Sequence, residues 1–404
     1  MKIISGGVTA AQGFVAGGIH CGIRANKTKP DLAMILAKNR CSAAAVYTTN
    51  LVKGAPIAVT RRNIADGYAQ AVICNSGNAN TCNADGEQKA WRMCEIAGKA
   101  LKIAPEDVIV ASTGVIGQVL PIEPIETSAP VLAATLNDDG SAMANRGIMT
   151  TDTVEKTCAV SFEIGGKEVR IGGIAKGSGM IHPNMATMLG FITTDAAISP
   201  AVLQKALSAA VQTTFNMVSV DGDTSTNDMV SVLASGCAGN PEIAESGESY
   251  ETFLEALTFV CRDLAKKVAG DGEGATKLLV CRVTGAADEA CARTVAKSVI
   301  CSSLLKAAMF GADANWGRVL CAIGYSGAPV DVNAVDVSFA SEAGHVDVCV
   351  SGAGIPFSEE TAKKVLSEKA IDILVELHSG DASAEAYGCD LTYDYVKING
   401  DYRT

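Results

Sequence analysis

Residues 175–191 read AKGSGMIHPNMATMLGF. Gly177 and Gly179 flank Ser178, Lys176 carries the segment's one fixed charge, and three methionines crowd around Thr187. Two glycines and a proline are poor helix formers, yet the run is too apolar for an ordinary surface loop. Such a segment needs a purpose beyond connecting two elements. The fold and the chemistry both turn on what Ala186-Thr187 does.

The chain of 404 residues exceeds one typical core, so two domains, or one large domain with an appendage, are expected. Hydrophobic residues make up 48% and charged residues 19%, which describes a packed globular protein and not a disordered one. The net charge of −11, with no run of Lys or Arg, argues against a nucleic-acid partner, because phosphate binding needs a basic face. The N-terminal MKIISGGVTAAQGF interrupts with glycines where a signal peptide needs an unbroken apolar run. No stretch approaches the roughly 18 apolar residues of a membrane span. The 14 cysteines are scattered singly, with no CxxC, and read as reduced thiols in core positions of a cytoplasmic protein.

Short Val- and Ile-rich runs at 43–49, 69–74 and 107–113 predict strands. Between the last two, Ala90, Met93, Ala97, Ala100 and Leu101 line one side of a helix over 87–102, with Pro105 as its stop. Ser199-Pro200 predicts a helix start, with Leu203, Leu207, Ala210 and Val211 as the buried stripe through about residue 215. Phe253, Leu257, Val260, Leu264 and Val268 predict another over 250–268, and a third is expected over 289–310. Strand-like runs follow at 335–340 and 345–350, then a helix from Ser358 and a last run at 390–398. This mixture predicts an α+β fold with mostly antiparallel sheet. The strand at 277–285, after the turn DGEGAT, marks the start of a smaller C-terminal α/β domain, so residues 1–280 form the catalytic domain and 281–404 the appendage.

Most familiar catalytic patterns are missing. The histidines His20, His182, His345 and His378 stand alone and none lies in HExxH, which excludes the common zinc hydrolase signature. There is no GxSxG elbow and no P-loop. Gly270, Gly272 and Gly274 approach a dinucleotide fingerprint, but they follow a helix and precede a strand, the reverse of what that motif requires. Asp221, Asp223 and Ser225 begin like a calcium loop, but Thr226 and Val232 replace its glycine and terminal glutamate, so a polar turn is expected. No metal is expected.

An acyl-transfer device without a Ser-His pair remains: a threonine whose own α-amine is the base. That amine titrates near ~8 and can take the hydroxyl proton. Exposing it inside a chain requires a cut just before the threonine, by attack of its hydroxyl on the preceding carbonyl. Ala186 does not obstruct that attack, and the nearby glycines permit a sharp approach. An Ala-Thr pair in a methionine-rich strand is more often simply core. The residues alone leave both readings open.

The whole stretch 171–196, IGGIAKGSGMIHPNMATMLGFITTDA, closely resembles the ornithine acetyltransferase family, also called glutamate N-acetyltransferase. NSGNAN (75–80), ASTGVIG (111–117), IMTTDT (148–153), FNMVSVDGDTSTND (215–228), GDGEGATK (270–277) and the ending NGDYRT (399–404) match it as well, in the family's order and spacing. The resemblance implies an αββα sandwich of N-terminal-nucleophile type, self-cleaved between Ala186 and Thr187 into an α chain, 1–186, and a β chain, 187–404. It implies that Thr187 is the nucleophile of a ping-pong transfer of acetyl from N2-acetyl-L-ornithine to L-glutamate. Thr113 and Gly114 would form the oxyanion hole, and Thr150, Lys176, Thr187, Glu273, Asn399 and Thr404 the substrate site. It further implies no cofactor, acetyl-CoA as a second acetyl donor in bifunctional members, and assembly of two α with two β chains. The alternative is an aminopeptidase or amidase of related fold, in which water takes the acyl group.

Overall fold

A computed structural model describes residues 1–26, 28–182 and 188–400. The expectations for Ala186, Thr187 and Thr404 therefore lie outside the described residues. In chain order the first strands are β1 (Lys2–Ile3), β2 (Phe14–Ile19), β3 (Leu32–Tyr47), β4 (Tyr68–Asn78) and β5 (Val108–Val115). They are followed by β6 (Lys156–Ile164), β7 (Lys167–Lys176), β8 (Leu189–Thr194), β9 (Val218–Ser219) and β10 (Met229–Ala234). The last six are β11 (Leu278–Ala286), β12 (Asp336–Ser341), β13 (Gly344–Val350), β14 (Ala353–Gly354), β15 (Ala370–Glu376) and β16 (Ala382–Cys389).

The helices are α1 (Ala55–Asn63), α2 (Gly86–Leu101), α3 (Glu123–Thr135), α4 (Ser141–Ile148), α5 (Pro200–Gln212) and α6 (Glu248–Gly270). Toward the C-terminus come α7 (Glu289–Cys301), α8 (Ser303–Phe310), α9 (Trp316–Gly324), α10 (Glu359–Leu366) and α11 (Tyr393–Asn399).

The first sheet has the order β1-β6-β7-β8-β10-β3-β4-β5, with β2 also on β3. Strand β3 folds it into two layers. Its first half pairs with β2 and β4, its second half (Ser42–Tyr47) with β10, and the β3–β4 register shifts between Leu36 and Cys41. Between the layers lies one apolar core, with Ile35, Val72 and Ile109 from one side and Ile174, Phe191 and Met229 from the other. Outside the first layer, α1, α2 and α3 pack on Ile73, Val108 and Val110. Outside the second, α5 and α6 cover Val160, Ile171, Ile192 and Val232 with the stripes expected from the sequence. The order helix, sheet, sheet, helix is the αββα sandwich, and most strand pairs are antiparallel.

A second sheet, in the order β14-β13-β12-β15-β11-β16-β9, carries α7 against β11 and β16 and α10 against β12 and β13. Residues 280 and 281 both fall inside β11, and β9, from the earlier half of the chain, closes the edge of this sheet. The helix expected over 289–310 is two. Ser302 ends α7 and caps α8, its hydroxyl accepting the Leu305 N–H at 3.3 Å. The apolar stripe runs on across the break through Val299, Leu305 and Met309, so periodicity alone does not reveal it. Nine of the 14 cysteines are buried and none is in a disulfide. Among the described residues, no helix is long and apolar enough to cross a membrane.

Candidate active site

The glycine-rich segment sits where two neighbouring strands end. Strand β7 stops at Lys176, which pairs with Leu189 at the start of β8. Leu189 in turn is level with Met229 of β10. The connection from Gly177 to Met188 therefore leaves and re-enters the sheet at one point. Ile181 bridges Thr224, and the Met229 N–H donates to the Met188 carbonyl at 2.9 Å.

At this edge Thr113, Gly114, Thr150, Lys176, Glu273 and Asn399 line one cavity of about 120 Å³, together with Ala79, Ile116, Gly179 and residues 225–227. The six described residues named from the sequence thus come together from five distant parts of the chain. Thr113 and Gly114 lie in the last three residues of β5. Gly114 has φ +133°, and a Cβ there would stand 2.3 Å from the Gly77 carbonyl carbon, so only glycine lets β4 and β5 close here. The Lys176 ammonium donates to the Thr113 hydroxyl at 3.3 Å, which leaves the hydroxyl hydrogen available to the cavity. Across the cavity, the Asn399 amide donates to the Glu273 carboxylate at 2.7 Å. A Cβ on Gly179 would stand 2.4 Å from that carboxylate, which explains the second glycine of the opening segment.

The polar groups beneath the cavity were not anticipated from sequence. The Asp152 carboxylate accepts the Thr150 N–H at 2.9 Å and the Gly177 N–H at 2.7 Å. Lys156, fully buried, bridges Asp152 at 2.7 Å and Asp271 at 2.5 Å. Lys156 stands four residues after Asp152, a spacing that looks no different from that of two exposed charges. Nothing in the chain order brings Asp271 to them.

Burial strips water from the Lys176 ammonium and pulls its pKa down, with Asp152 opposing. Burial would raise the Asp152 carboxyl, but Lys176, Lys156 and the Gly177 N–H outweigh it and hold the pKa at about 2. Asp228, buried nearby, is pushed well above the carboxylate range by desolvation, and its Oδ2 has no hydrogen-bond partner among the described residues.

A depressed carboxyl stabilises the fold above its unfolded pKa and loses that contribution as pH falls through the folded value. For Asp152, 3.8 to about 2 corresponds to about 2 kcal/mol, present above pH 4 and lost between pH 4 and 2. Asp152→Asn is expected to cost about that much at pH 7 and to flatten this acid limb. Thermal midpoints of both proteins from pH 7 to 2 check it; an unchanged limb in the variant refutes it.

His182 lies outside the cavity, its Nδ1 3.0 Å from the Ser219 hydroxyl and 3.5 Å from Cys301 Sγ. Asp221 accepts the N–H groups of Met180, Ile181 and Asp223, the polar turn expected there.

A family model described as the ArgJ family matches residues 15–404. The "Arginine biosynthesis bifunctional protein ArgJ" of Symbiobacterium thermophilum is 52% identical, with both chains covered in full. A crystal structure of the protein of that name from Bacillus halodurans is 49% identical with a TM-score of 0.50, covering 53% of this chain and 99% of its own. A structure titled ornithine acetyltransferase complexed with ornithine, from Mycobacterium tuberculosis, is 33% identical over 45% of this chain and 96% of its own, with a TM-score of 0.40.

Proposed function

Because the chain belongs to the ArgJ family, an acetyltransferase family of arginine biosynthesis, we propose that it moves acetyl from N2-acetyl-L-ornithine to L-glutamate through an acetyl-Thr187 intermediate. One observation carries the reading: Thr113, Gly114, Thr150, Lys176, Glu273 and Asn399 converge on one cavity whose lining includes Gly179, which stands eight positions before Thr187 in the sequence. Self-cleavage at the Ala186-Thr187 bond frees the Thr187 α-amine.

The chemistry follows from the residues. The α-amine takes the Thr187 hydroxyl proton as Oγ attacks the acetyl carbonyl. The charge arising on the carbonyl oxygen meets the Thr113 hydroxyl and the Gly114 N–H, donors that contribute about 3 kcal/mol each only once that charge exists. Ornithine leaves with the proton, glutamate's amine attacks the acyl-enzyme, and N-acetylglutamate departs. Lys176 suits the α-carboxylate common to both substrates. Glu273 suits ornithine's side-chain ammonium, and the Asn399 amide beside it gives glutamate's carboxylate a donor.

Acetyl-CoA as second donor, two α with two β chains, and a cytoplasmic setting without metal or cofactor complete the reading. Incubating the enzyme with N-acetylornithine and glutamate tests it by product. N-acetylglutamate is expected; free acetate alone would instead identify the amidase. Glutamate acetylation from acetyl-CoA without N-acetylornithine reports the second donor.

A further inference from the structure

We propose that Lys156 is a positioning residue of the transfer site, clamping three chain segments whose side chains hold the substrate while touching no substrate itself. The inference rests on the acetyltransferase reading. Lys156 has 0% side-chain exposure and does not line the cavity. Its ammonium donates to Asp152 Oδ1 at 2.7 Å, Asp271 Oδ2 at 2.5 Å and the Val154 carbonyl at 3.4 Å.

Each bridged carboxylate is itself a backbone anchor. Asp152 receives the N–H groups of Thr150 and Gly177, so it holds one site residue directly and Lys176 through its neighbour. Asp271 receives the Thr153 N–H at 3.0 Å and the Thr153 hydroxyl, while its carbonyl accepts the Ser178 hydroxyl at 2.7 Å. Ser178 closes the loop, its carbonyl accepting the Glu273 N–H at 3.0 Å. One buried cation thus joins the segments around Thr150, Lys176 and Glu273. Lys156 is itself fixed, its N–H donating to Asn145 Oδ1 at 3.0 Å, and Asn145 donating to the Ala175 carbonyl at 2.9 Å.

Charge explains why the clamp is a lysine. Lys156, Lys176, Asp152 and Asp271 sum to zero in a dry pocket, where any unmatched charge is costly. An apolar residue at 156 would leave two carboxylates facing each other and loosen the segments they hold. The groups acting on the Lys176 ammonium are Asp152, Lys156, Asp228 and Arg24, and the Lys156 cation helps to keep its pKa down. Removing that cation raises the Lys176 pKa.

The test compares Lys156→Arg, Lys156→Met and the charge-balanced pair Lys156→Met with Asp271→Asn, which keeps the protein folded if the single change does not. In the pair, the KM for N-acetylornithine is expected to rise at least tenfold while kcat changes less, because the clamp serves residues that hold the substrate's ends. The alkaline limb of kcat/KM is expected to move to higher pH, and Lys156→Arg to restore it. Hydrogen exchange is expected to quicken together in peptides covering 148–154, 176–182 and 270–274, and not elsewhere. Unchanged exchange in these peptides with an unchanged KM in the folded pair overturns the proposal. A wild-type protein without acetyl transfer overturns the functional reading instead, and the exchange result then still decides the clamp.

Discussion

Thr187→Ala is expected to yield one uncut 404-residue chain with no measurable acetyl transfer. The same hydroxyl performs two reactions: attack on the Ala186 carbonyl, which frees the α-amine, and attack on the acetyl carbonyl of the donor. Removing Oγ abolishes both, and with the peptide bond intact there is no amine to serve as base. In a serine protease, loss of the covalent nucleophile costs on the order of 10⁶-fold in kcat, and a loss of similar order is expected here. Thr187→Ser keeps the hydroxyl and is expected to be cut slowly and to retain part of the activity. Denaturing mass spectrometry decides the matter: the wild type should show fragments 1–186 and 187–404, the alanine variant neither. An intact and fully active wild-type chain would sink the mechanism.

Gly114→Ala is the second large effect. The new Cβ would stand 2.3 Å from the Gly77 carbonyl carbon and 2.5 Å from the Asn78 nitrogen, at φ +133°. The ends of β4 and β5 must then part, and the Gly114 N–H and Thr113 hydroxyl move with them. The expected result is a kcat lower by about 10²–10³-fold with little change in KM, since these donors act on charge present only in the transition state. The strained backbone adds a stability loss of about 1–3 kcal/mol. Thr113→Val separates the two effects: it removes the hydroxyl without changing the shape, and a similar fall in kcat is expected at unchanged thermal midpoint. A Thr113→Val enzyme with wild-type kcat would remove Thr113 from the oxyanion hole.

Helices α2, α5 and α6 were legible because each lays a single apolar stripe on a sheet and starts or stops at an explicit signal, such as Pro200. Strand β3 was half legible. The run at 43–49 was read, but Leu32–Ala37, buried on both faces between helices and core, shows no alternation to separate it from a helix. Ser302 shows the reverse failure, a backbone break hidden under a continuous stripe.

For the site, the resemblance named the residues around the cavity and passed over those beneath it. Asp152 and Asp271 lie inside matched motifs, yet their side chains face each other only through Lys156, 115 positions before Asp271. A lysine read in sequence is a solvated charge by default.

By itself the sequence determined the elements whose signals are local: stripes at helical spacing, caps, turns, and the glycines and threonine of 175–191 around Ala186-Thr187. These need only the neighbours a few positions away. Only the tertiary structure decided that β3 folds one sheet into two layers and that Thr113, Thr150, Lys176, Glu273 and Asn399 meet at one edge. It also decided that a four-charge cluster carries them. The reason is physical: burial and Coulomb energy depend on distances in space, and nothing in the order of residues states them.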